Sequence, residues 1–250
     1  MPKKFIDVLN NQKVPRRINQ NYNGNNSNKQ IPPKLHDFDL FVFDWDGTLT
    51  ELKIIRTLDQ KYGLYWFYKK LRYGKKKKHN KTHNNSIAQD KFIITRESKE
   101  HVISFFADIY LTLFKPKLHN DVGILLTMLK SRGKKIALFT NGTEWRIDKE
   151  LALFRMKNMF DTVLSAQKIK IIKPDPTGLN IIIKKFKVSK KKVLYIGDMA
   201  DDIIMAKAAN VYSCALGNGF DNESTLKNTN PTFYFKGIKE FIEAFKSEEI

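Results

Sequence analysis

Hydrophobic and polar positions divide the chain into regions of different periodicity. The short apolar run at 39–44 predicts a buried strand that ends on a carboxylate. Between residues 51 and 118, apolar positions recur at helical spacing, for example at Ile103 and Phe106. We therefore expect a helical insert at 51–118, interrupted by an exposed polar loop at 74–80.

After residue 119 the pattern alternates between helix and strand. Helices are predicted at 122–129, 144–154, 179–186 and 202–209, and strands at 136–139, 161–164, 193–196 and 211–215. Strands rich in Val, Ile and Leu that are separated by helices are typical of a parallel sheet covered on both faces. The pattern therefore predicts an α/β core.

Composition changes this picture mainly at the N-terminus. An apolar share of 42% and an aromatic share of 12% exclude disorder of the whole chain. Residues 1–36, however, are rich in Asn and lack apolar periodicity, which indicates a disordered basic leader. No apolar run reaches the roughly 18 residues of a membrane span, so no membrane partner is expected. A single cysteine, Cys214, suits a reducing cytoplasm, and we predict that location.

The formal net charge of +19 has two interpretations. It favours attraction to anions such as phosphorylated metabolites, nucleic acid or acidic lipid surfaces. A general preference for Lys and Asn would produce the same charge with no functional meaning, and we favour this second interpretation. The run Lys75–Lys78 lacks interleaved aromatic residues of the kind that stack on nucleic-acid bases.

Polar residues follow three of the predicted strands at the point where each ends. They are Asp44–Thr48, Thr140–Gly142 and Gly197–Asp198, and Lys173-Pro174 follows a fourth strand. Ligands of parallel α/β sheets bind beyond the carboxyl ends of the strands. Each group taken alone also fits an ordinary turn or helix cap. Their joint occurrence at strand ends favours a catalytic site.

These four groups resemble the motifs of the haloacid dehalogenase-like hydrolase superfamily, on its phosphatase side. The motif DxDGT corresponds to Asp44–Thr48, and Thr140 corresponds to the Thr or Ser that ends the next strand. Lys173-Pro174 and the GDxxxD motif at Gly197–Asp202 complete the pattern. The sequence Lys173–Pro176 is further similar to phosphoglycolate-phosphatase-like members.

The resemblance implies a fold and its boundaries. We expect a Rossmann-like doubly wound parallel sheet formed by 37–50 and 119–250, with 51–118 as an inserted cap domain over the strand ends. Such a cap excludes water during the reaction and opens for exchange of substrate and product.

The resemblance also implies the roles of individual residues. Asp44 is expected as the nucleophile, which gives an aspartyl-phosphate, and Asp46 as the general acid/base. Mg²⁺ is the expected cofactor. Its contacts would be the Asp44 side chain, the Asp46 backbone carbonyl and Asp198, with Asp202 in an outer position or acting through water.

The same resemblance assigns phosphate binding to Thr140, the backbone of Asn141 and Lys173. The implied function is hydrolysis of a small phosphorylated metabolite, with phosphoglycolate as the default substrate. Two alternatives stay open: a nucleic-acid-processing phosphatase that uses the basic surface, and a non-catalytic binding protein on the same fold. Phosphomutase and pyrophosphatase activities, and the oligomeric state, are not separated by the sequence.

Overall fold

The computed structural model of the protein describes residues 33–51 and 117–248. Nearly all of the predicted cap, with the Lys75–Lys78 run, lies outside the described residues, and so does most of the predicted leader. Within the described part, no helix has the length and apolar character needed to cross a bilayer.

Strands and helices alternate along most of the described chain. The strands are β1 (Leu40–Phe43), β2 (Thr50–Glu51), β3 (Lys117–Leu118), β4 (Lys135–Thr140), β5 (Thr162–Ser165), β6 (Val193–Gly197), β7 (Tyr212–Leu216) and β8 (Phe233–Phe235). The helices are α1 (Val122–Ser131), α2 (Glu144–Leu153), α3 (Ala166–Ile169), α4 (Thr177–Phe186), α5 (Ala200–Ala208), α6 (Glu223–Asn228) and α7 (Ile238–Ser247).

Six of these strands form one parallel sheet in the order β5-β4-β1-β6-β7-β8. Starting from β1, the chain adds β4 and β5 on one side of the sheet and then β6, β7 and β8 on the other, so the strand order changes direction at β1. The predicted doubly wound, Rossmann-like parallel sheet is therefore confirmed. In parallel α/β sheets, the point at which the strand order changes direction has a crevice outside the carboxyl ends of the strands.

The alternation of side chains along β1 explains why the sheet is covered on both faces. Phe41 and Phe43 belong to a core cluster that includes residues of α1, α2 and α7. Leu40 and Val42 point to the opposite face and belong to a cluster that includes residues of α4 and α5. All four side chains are fully buried, as expected for a strand without polar positions.

Strands β2 and β3 form a separate antiparallel ribbon, in which Thr50 pairs with Leu118 and Glu51 with Lys117. The chain thus leaves the described core at residue 51 and re-enters it at residue 117. The ribbon brings the two ends of the predicted insert side by side, next to the end of β1.

Within the described residues, the predicted helices and strands agree with the structure to within a few residues, but several elements were not predicted. The pattern did not identify strands β2, β3 and β8 or helices α3, α6 and α7. Helix α7 packs Phe241 and Phe245 into the core. Asn210 has a φ of 58°, the left-handed conformation expected of Asn after a helix.

Candidate active site

The ends of β1, β4 and β6 place three of the predicted site residues at one edge of the sheet. Asp44 directly follows β1, Thr140 is the last residue of β4, and Asp198 directly follows β6. The backbone N–H of Asp44 donates to the carbonyl of Ile196 over 2.9 Å, so β1 and β6 stay paired up to the carboxylate. The crevice expected from the strand order is therefore lined by acidic side chains.

Lys173 joins this edge from the loop that precedes α4. Its ammonium group lies 2.6 Å from Asp44 Oδ1 and 2.8 Å from Asp202 Oδ1. It also lies 3.2 Å from the hydroxyl of Tyr195, which in turn contacts Asp202 and the carbonyl of Phe139. Lys173 is buried, with only 4% of its surface exposed. Two carboxylates thus share one cation away from water.

Asp44, Asp198 and Asp202 form a compact group of carboxylates. One oxygen atom of each lies within 4.8 Å of the others, and all three side chains are buried. Asp198 is oriented by the hydroxyl of Thr48, which donates to Oδ1 over 2.7 Å, and by the backbone N–H of Phe220, which donates to Oδ2 over 2.6 Å.

The charges in this group do not balance. Three buried carboxylates face one ammonium group, and burial penalises every charge that is left unpaired. Burial raises the pKa of Asp44 to about 7 against the opposing effect of Lys173, with a smaller contribution from Asp202. Burial also raises the pKa of Asp198 well above its ordinary value, and the neighbouring Asp44 and Asp202 add to this. Burial alone would lower the pKa of Lys173, but Asp202 and Asp44 outweigh it and raise that pKa.

This excess of negative charge tests whether the site suits a metal ion. Oxygen atoms from carboxylates are the ligands that Mg²⁺ prefers, and one or two carboxylates usually suffice to hold it. A divalent cation among Asp44, Asp198 and Asp202 would neutralise the charge that Lys173 leaves unmatched. The donor set and its electrostatics therefore fit a divalent metal ion.

Thr140 ends β4 and Asn141 begins the loop that follows, at the same edge of the sheet. Thr140 is fully buried, and its Oγ1 accepts a hydrogen bond of 3.0 Å from the backbone N–H of Gly142. The side-chain oxygen of Asn141 accepts a hydrogen bond of 3.0 Å from the backbone N–H of Lys173. The Asn141 side chain thus fixes the loop that carries the cation, a contact that the sequence did not predict.

Asp46 has a different environment from the other acids. Its carboxylate accepts hydrogen bonds from both terminal nitrogens of Arg146, at 2.9 and 2.6 Å. Asp46 is partly exposed, with 24% of its side chain accessible, whereas Arg146 is buried. The two acids of the DxD motif are therefore held by different cations, Asp44 by Lys173 and Asp46 by Arg146.

Glycine residues allow the backbone to approach Asp198 closely. A Cβ atom on Gly219 would lie 2.1 Å from Asp198 Oδ2, and one on Gly47 would lie 2.2 Å from the same atom. Gly47 also has a φ of 86°, which side chains rarely permit. Any larger residue at either position would displace the carboxylate.

A model of the family described as "Haloacid dehalogenase-like hydrolase" matches residues 41–216. The match includes Asp44, Thr140, Lys173 and Asp198, the residues that the fold brings to one edge of the sheet.

The chain belongs to the haloacid dehalogenase-like hydrolase family.

Sequence relatives of this hydrolase are named as phosphatases. The chain is 27% identical over 228 residues to a phosphoglycolate phosphatase of Colwellia psychrerythraea, covering 85% of this chain and 99% of that protein. It is 29% identical over 126 residues to a phosphoglycolate phosphatase of Haemophilus influenzae, covering 50% of this chain and 56% of that protein. The predicted superfamily, on its phosphatase side, is therefore confirmed, and the chain is an enzyme.

Solved structures share the fold. A protein described as a predicted phosphatase from Clostridium acetobutylicum matches with a TM-score of 0.60 at 20% identity, covering 85% of this chain and 99% of that chain. At this level of identity the similarity concerns the fold alone.

Sequence reasoning missed the residues that hold the predicted ones in place. Arg146, Glu150 and Tyr195 lie in predicted helices or strands and were not given any role. Tyr195 had a visible signal, because a hydroxyl inside a buried strand needs a partner. Trp45 is fully buried, and its indole N–H donates to Glu150 over 2.5 Å.

Proposed function

We propose that this hydrolase is a magnesium-dependent phosphatase that cleaves a small phosphorylated metabolite through an aspartyl-phosphate on Asp44. The observation that carries the proposal is the buried contact of 2.6 Å between Asp44 and Lys173, beside Asp198 and Asp202. A phosphoryl group has to be approached by an anion in this reaction, and the site combines a carboxylate with positive charge.

Asp44 is the proposed nucleophile because it lies at the end of a strand and has one oxygen bound to Lys173. The ammonium group fixes the direction of the carboxylate and favours its ionised form. Attack on phosphorus would form the aspartyl-phosphate and break the bond to the leaving oxygen, so that one hard displacement becomes two easier steps.

Asp46 is the proposed general acid/base. It would give a proton to the leaving oxygen in the first step and take one from the attacking water in the second. It lies two residues from the nucleophile, and its carboxylate is close enough for its charge to act on Asp44. Its partial exposure suits a group that exchanges protons with substrate and water.

Magnesium is proposed to be held by the Asp44 side chain, the Asp46 backbone carbonyl and Asp198, with Asp202 placed behind them. When bound, the ion would neutralise charge on the phosphoryl oxygens and on the nucleophile. Asp202 supports this site through Lys173, to which it is paired at 2.8 Å. Thr140 and the Asn141 backbone are proposed to bind phosphate oxygens at the end of β4.

The substrate is proposed to be a small phosphomonoester similar to phosphoglycolate, because the two sequence relatives named above are phosphoglycolate phosphatases. The predicted cap, which would set the specificity, lies outside the described residues. A cytoplasmic location, in which Cys214 stays reduced, is part of the same proposal.

Hydrolysis of p-nitrophenyl phosphate by the purified full chain tests the function. We expect turnover that requires Mg²⁺, is abolished by EDTA and is lost in Asp44→Asn, because an amide cannot act as the nucleophile. Asp148→Asn, on the exposed side of α2, is the matched control and should keep wild-type activity. Near-normal turnover by a folded Asp44→Asn protein would refute the assignment. A panel of phosphorylated metabolites, phosphoglycolate included, would then identify the substrate.

A further inference from the structure

Arg146 makes a two-pronged contact with Asp46 that the reaction outlined above does not use. Its Nη1 lies 2.9 Å from Asp46 Oδ1, and its Nη2 lies 2.6 Å from Asp46 Oδ2. This arrangement fixes the plane of the carboxylate as well as its position, because the guanidinium group is flat and presents its donors in a rigid fork. A lysine at the same place could hold only one point of the carboxylate.

The guanidinium group is itself held from behind. Its Nη1 also donates to Glu150 Oε1 over 3.0 Å, one helical turn further along α2. Glu150 Oε2 in turn accepts the indole N–H of Trp45 over 2.5 Å. Trp45 and Asp46 are consecutive residues, so Glu150 and Arg146 of α2 hydrogen-bond to two adjacent side chains of the loop after β1. The four side chains form a closed loop of contacts between the catalytic loop and one helix.

Space for this contact is provided by Gly142. A Cβ atom there would lie 2.2 Å from Arg146 Nη2, so any side chain at this position would push the guanidinium group away. Gly142 belongs to the Thr140–Gly142 segment, in which Thr140 and the backbone of Asn141 are expected to bind the phosphate. The same segment therefore also leaves room for the arginine.

A purely structural explanation accounts for only part of this arrangement. An ion pair between Arg146 and Glu150 would be enough to neutralise a buried arginine within α2. The second partner, Asp46, is the least buried member of the set, with 24% of its side chain exposed against 3% for Arg146. The buried cation thus reaches a carboxylate that is partly exposed to solvent.

We propose that Arg146 is the positioning residue for Asp46, holding the carboxylate at a fixed angle to the phosphoryl group bound at Asp44. This inference rests on the proposed phosphatase function and deepens it. Glu150 and Trp45 keep the guanidinium group in place, and Gly142 leaves room for it. Without the fork, the Asp46 side chain can rotate, and the leaving oxygen meets a correctly oriented acid less often.

The test compares two substrates that differ in their need for an acid. The leaving group of p-nitrophenyl phosphate departs readily without a proton, whereas that of an alkyl phosphate such as phosphoglycolate requires one. The value of kcat/KM reports the first chemical step, the transfer to Asp44. Wild type, Arg146→Gln, Arg146→Lys, Asp46→Asn and the double variant Asp46→Asn/Arg146→Gln are measured with both substrates. Arg155→Gln is the matched control, an exposed arginine just beyond α2.

We expect Arg146→Gln to reduce kcat/KM for the alkyl phosphate by roughly 10- to 100-fold and by much less for the aryl phosphate. The loss stays at or below the lower end of the roughly 10²- to 10⁴-fold contribution of general acid catalysis, because the acid itself remains. Adding Arg146→Gln to Asp46→Asn should cause little further loss, because the arginine acts through the aspartate. Arg146→Lys keeps the buried charge and the fold, and it should show the same substrate-dependent loss. Arg155→Gln should match the wild type.

Equal losses for both substrates, or losses that multiply in the double variant, would overturn the positioning role. Failure of the proposed function gives a different result. In that case the wild-type protein hydrolyses neither substrate, or Asp46→Asn shows no preferential loss with the alkyl phosphate.

Discussion

At the scale of single residues, the main feature of the site is an excess of buried negative charge. Asp44, Asp198 and Asp202 face one ammonium group, and the raised pKa values of Asp44 and Asp198 reflect their burial and their proximity to one another. Such a cluster is costly for the fold unless protons or a cation compensate it. The same arrangement that destabilises the metal-free site should therefore make it bind a divalent cation.

This reasoning predicts that Mg²⁺ stabilises the wild-type protein and that Asp198→Asn removes the effect. A ligand present at 100 times its dissociation constant stabilises the folded state by about 2.7 kcal/mol. For a chain of this size, that corresponds to a rise in Tm of several degrees. Thermal unfolding with and without Mg²⁺ measures the shift, and the variant is compared with its own metal-free form.

The control for this experiment is Glu223→Gln, which removes an exposed acid that pairs with Lys227 on α6. It should keep the full shift with Mg²⁺. If Asp198→Asn shows a shift equal to that of the wild type, Asp198 does not hold the metal.

At the scale of elements, the loops after the strands are shaped so that backbone lies against the carboxylates. The loop after β7 contributes the N–H of Phe220 to Asp198, and its Gly219 leaves no space for a side chain. The loop after β1 approaches the same carboxylate from the other side through Gly47. Asp198 is thus enclosed by two loops that come from distant parts of the sequence.

Gly219→Ala should therefore damage the site more than it damages the fold. The added methyl group would displace Asp198, and overpacking of this kind costs about 1–3 kcal/mol. We expect kcat/KM for p-nitrophenyl phosphate to fall at least about tenfold, the equivalent of roughly 1.4 kcal/mol in the activation barrier. Kinetics and chemical denaturation of the same preparations provide both quantities.

Gly123→Ala is the matched substitution. Gly123 lies in α1 with nothing within 4 Å of an added Cβ atom, so the change should stabilise the protein by about 0.5–1 kcal/mol and leave activity intact. If Gly219→Ala were as harmless as Gly123→Ala, the close approach to Asp198 would have no functional meaning.

At the scale of the whole molecule, the sheet separates the site from one cluster of exposed lysines. Asp198 follows the carboxyl end of β6, whereas the exposed residues Lys190, Lys191 and Lys192 precede its other end. These lysines cannot contact a phosphoryl group at Asp44. The nucleic-acid alternative raised by the net charge of +19 stays a prediction, and the Lys75–Lys78 run on which it partly depends lies outside the described residues.

The sequence predicted five strands of the core sheet, β1 and β4 to β7, because each of them carries its own local signal. An apolar run of limited length followed by polar residues is visible without knowledge of the fold. The meeting of the four motif segments at one edge of the sheet was also predictable, because parallel strands have their carboxyl ends at the same edge.

The contacts among these segments were not predictable in the same way. Arg146 and Asp46 are far apart in the sequence, and nothing in the local pattern of α2 shows that one of its charged residues turns inward. Helix α7 also has an ordinary amphipathic pattern, but no motif drew attention to it. Local periodicity thus predicts elements, whereas the partners of buried charged groups depend on the complete fold.

The identity of the nucleophile is tested most directly by trapping the covalent intermediate. The protein is mixed with p-nitrophenyl phosphate, whose leaving group departs without a proton from Asp46, and with Mg²⁺. It is then quenched and treated with borohydride, which reduces an aspartyl-phosphate to homoserine, and peptide mass spectrometry locates the change. We predict modification at Asp44 alone, with a larger labelled fraction in Asp46→Asn, which lacks the base for the second step. Modification at another residue, or undiminished turnover without any change at Asp44, would contradict the mechanism.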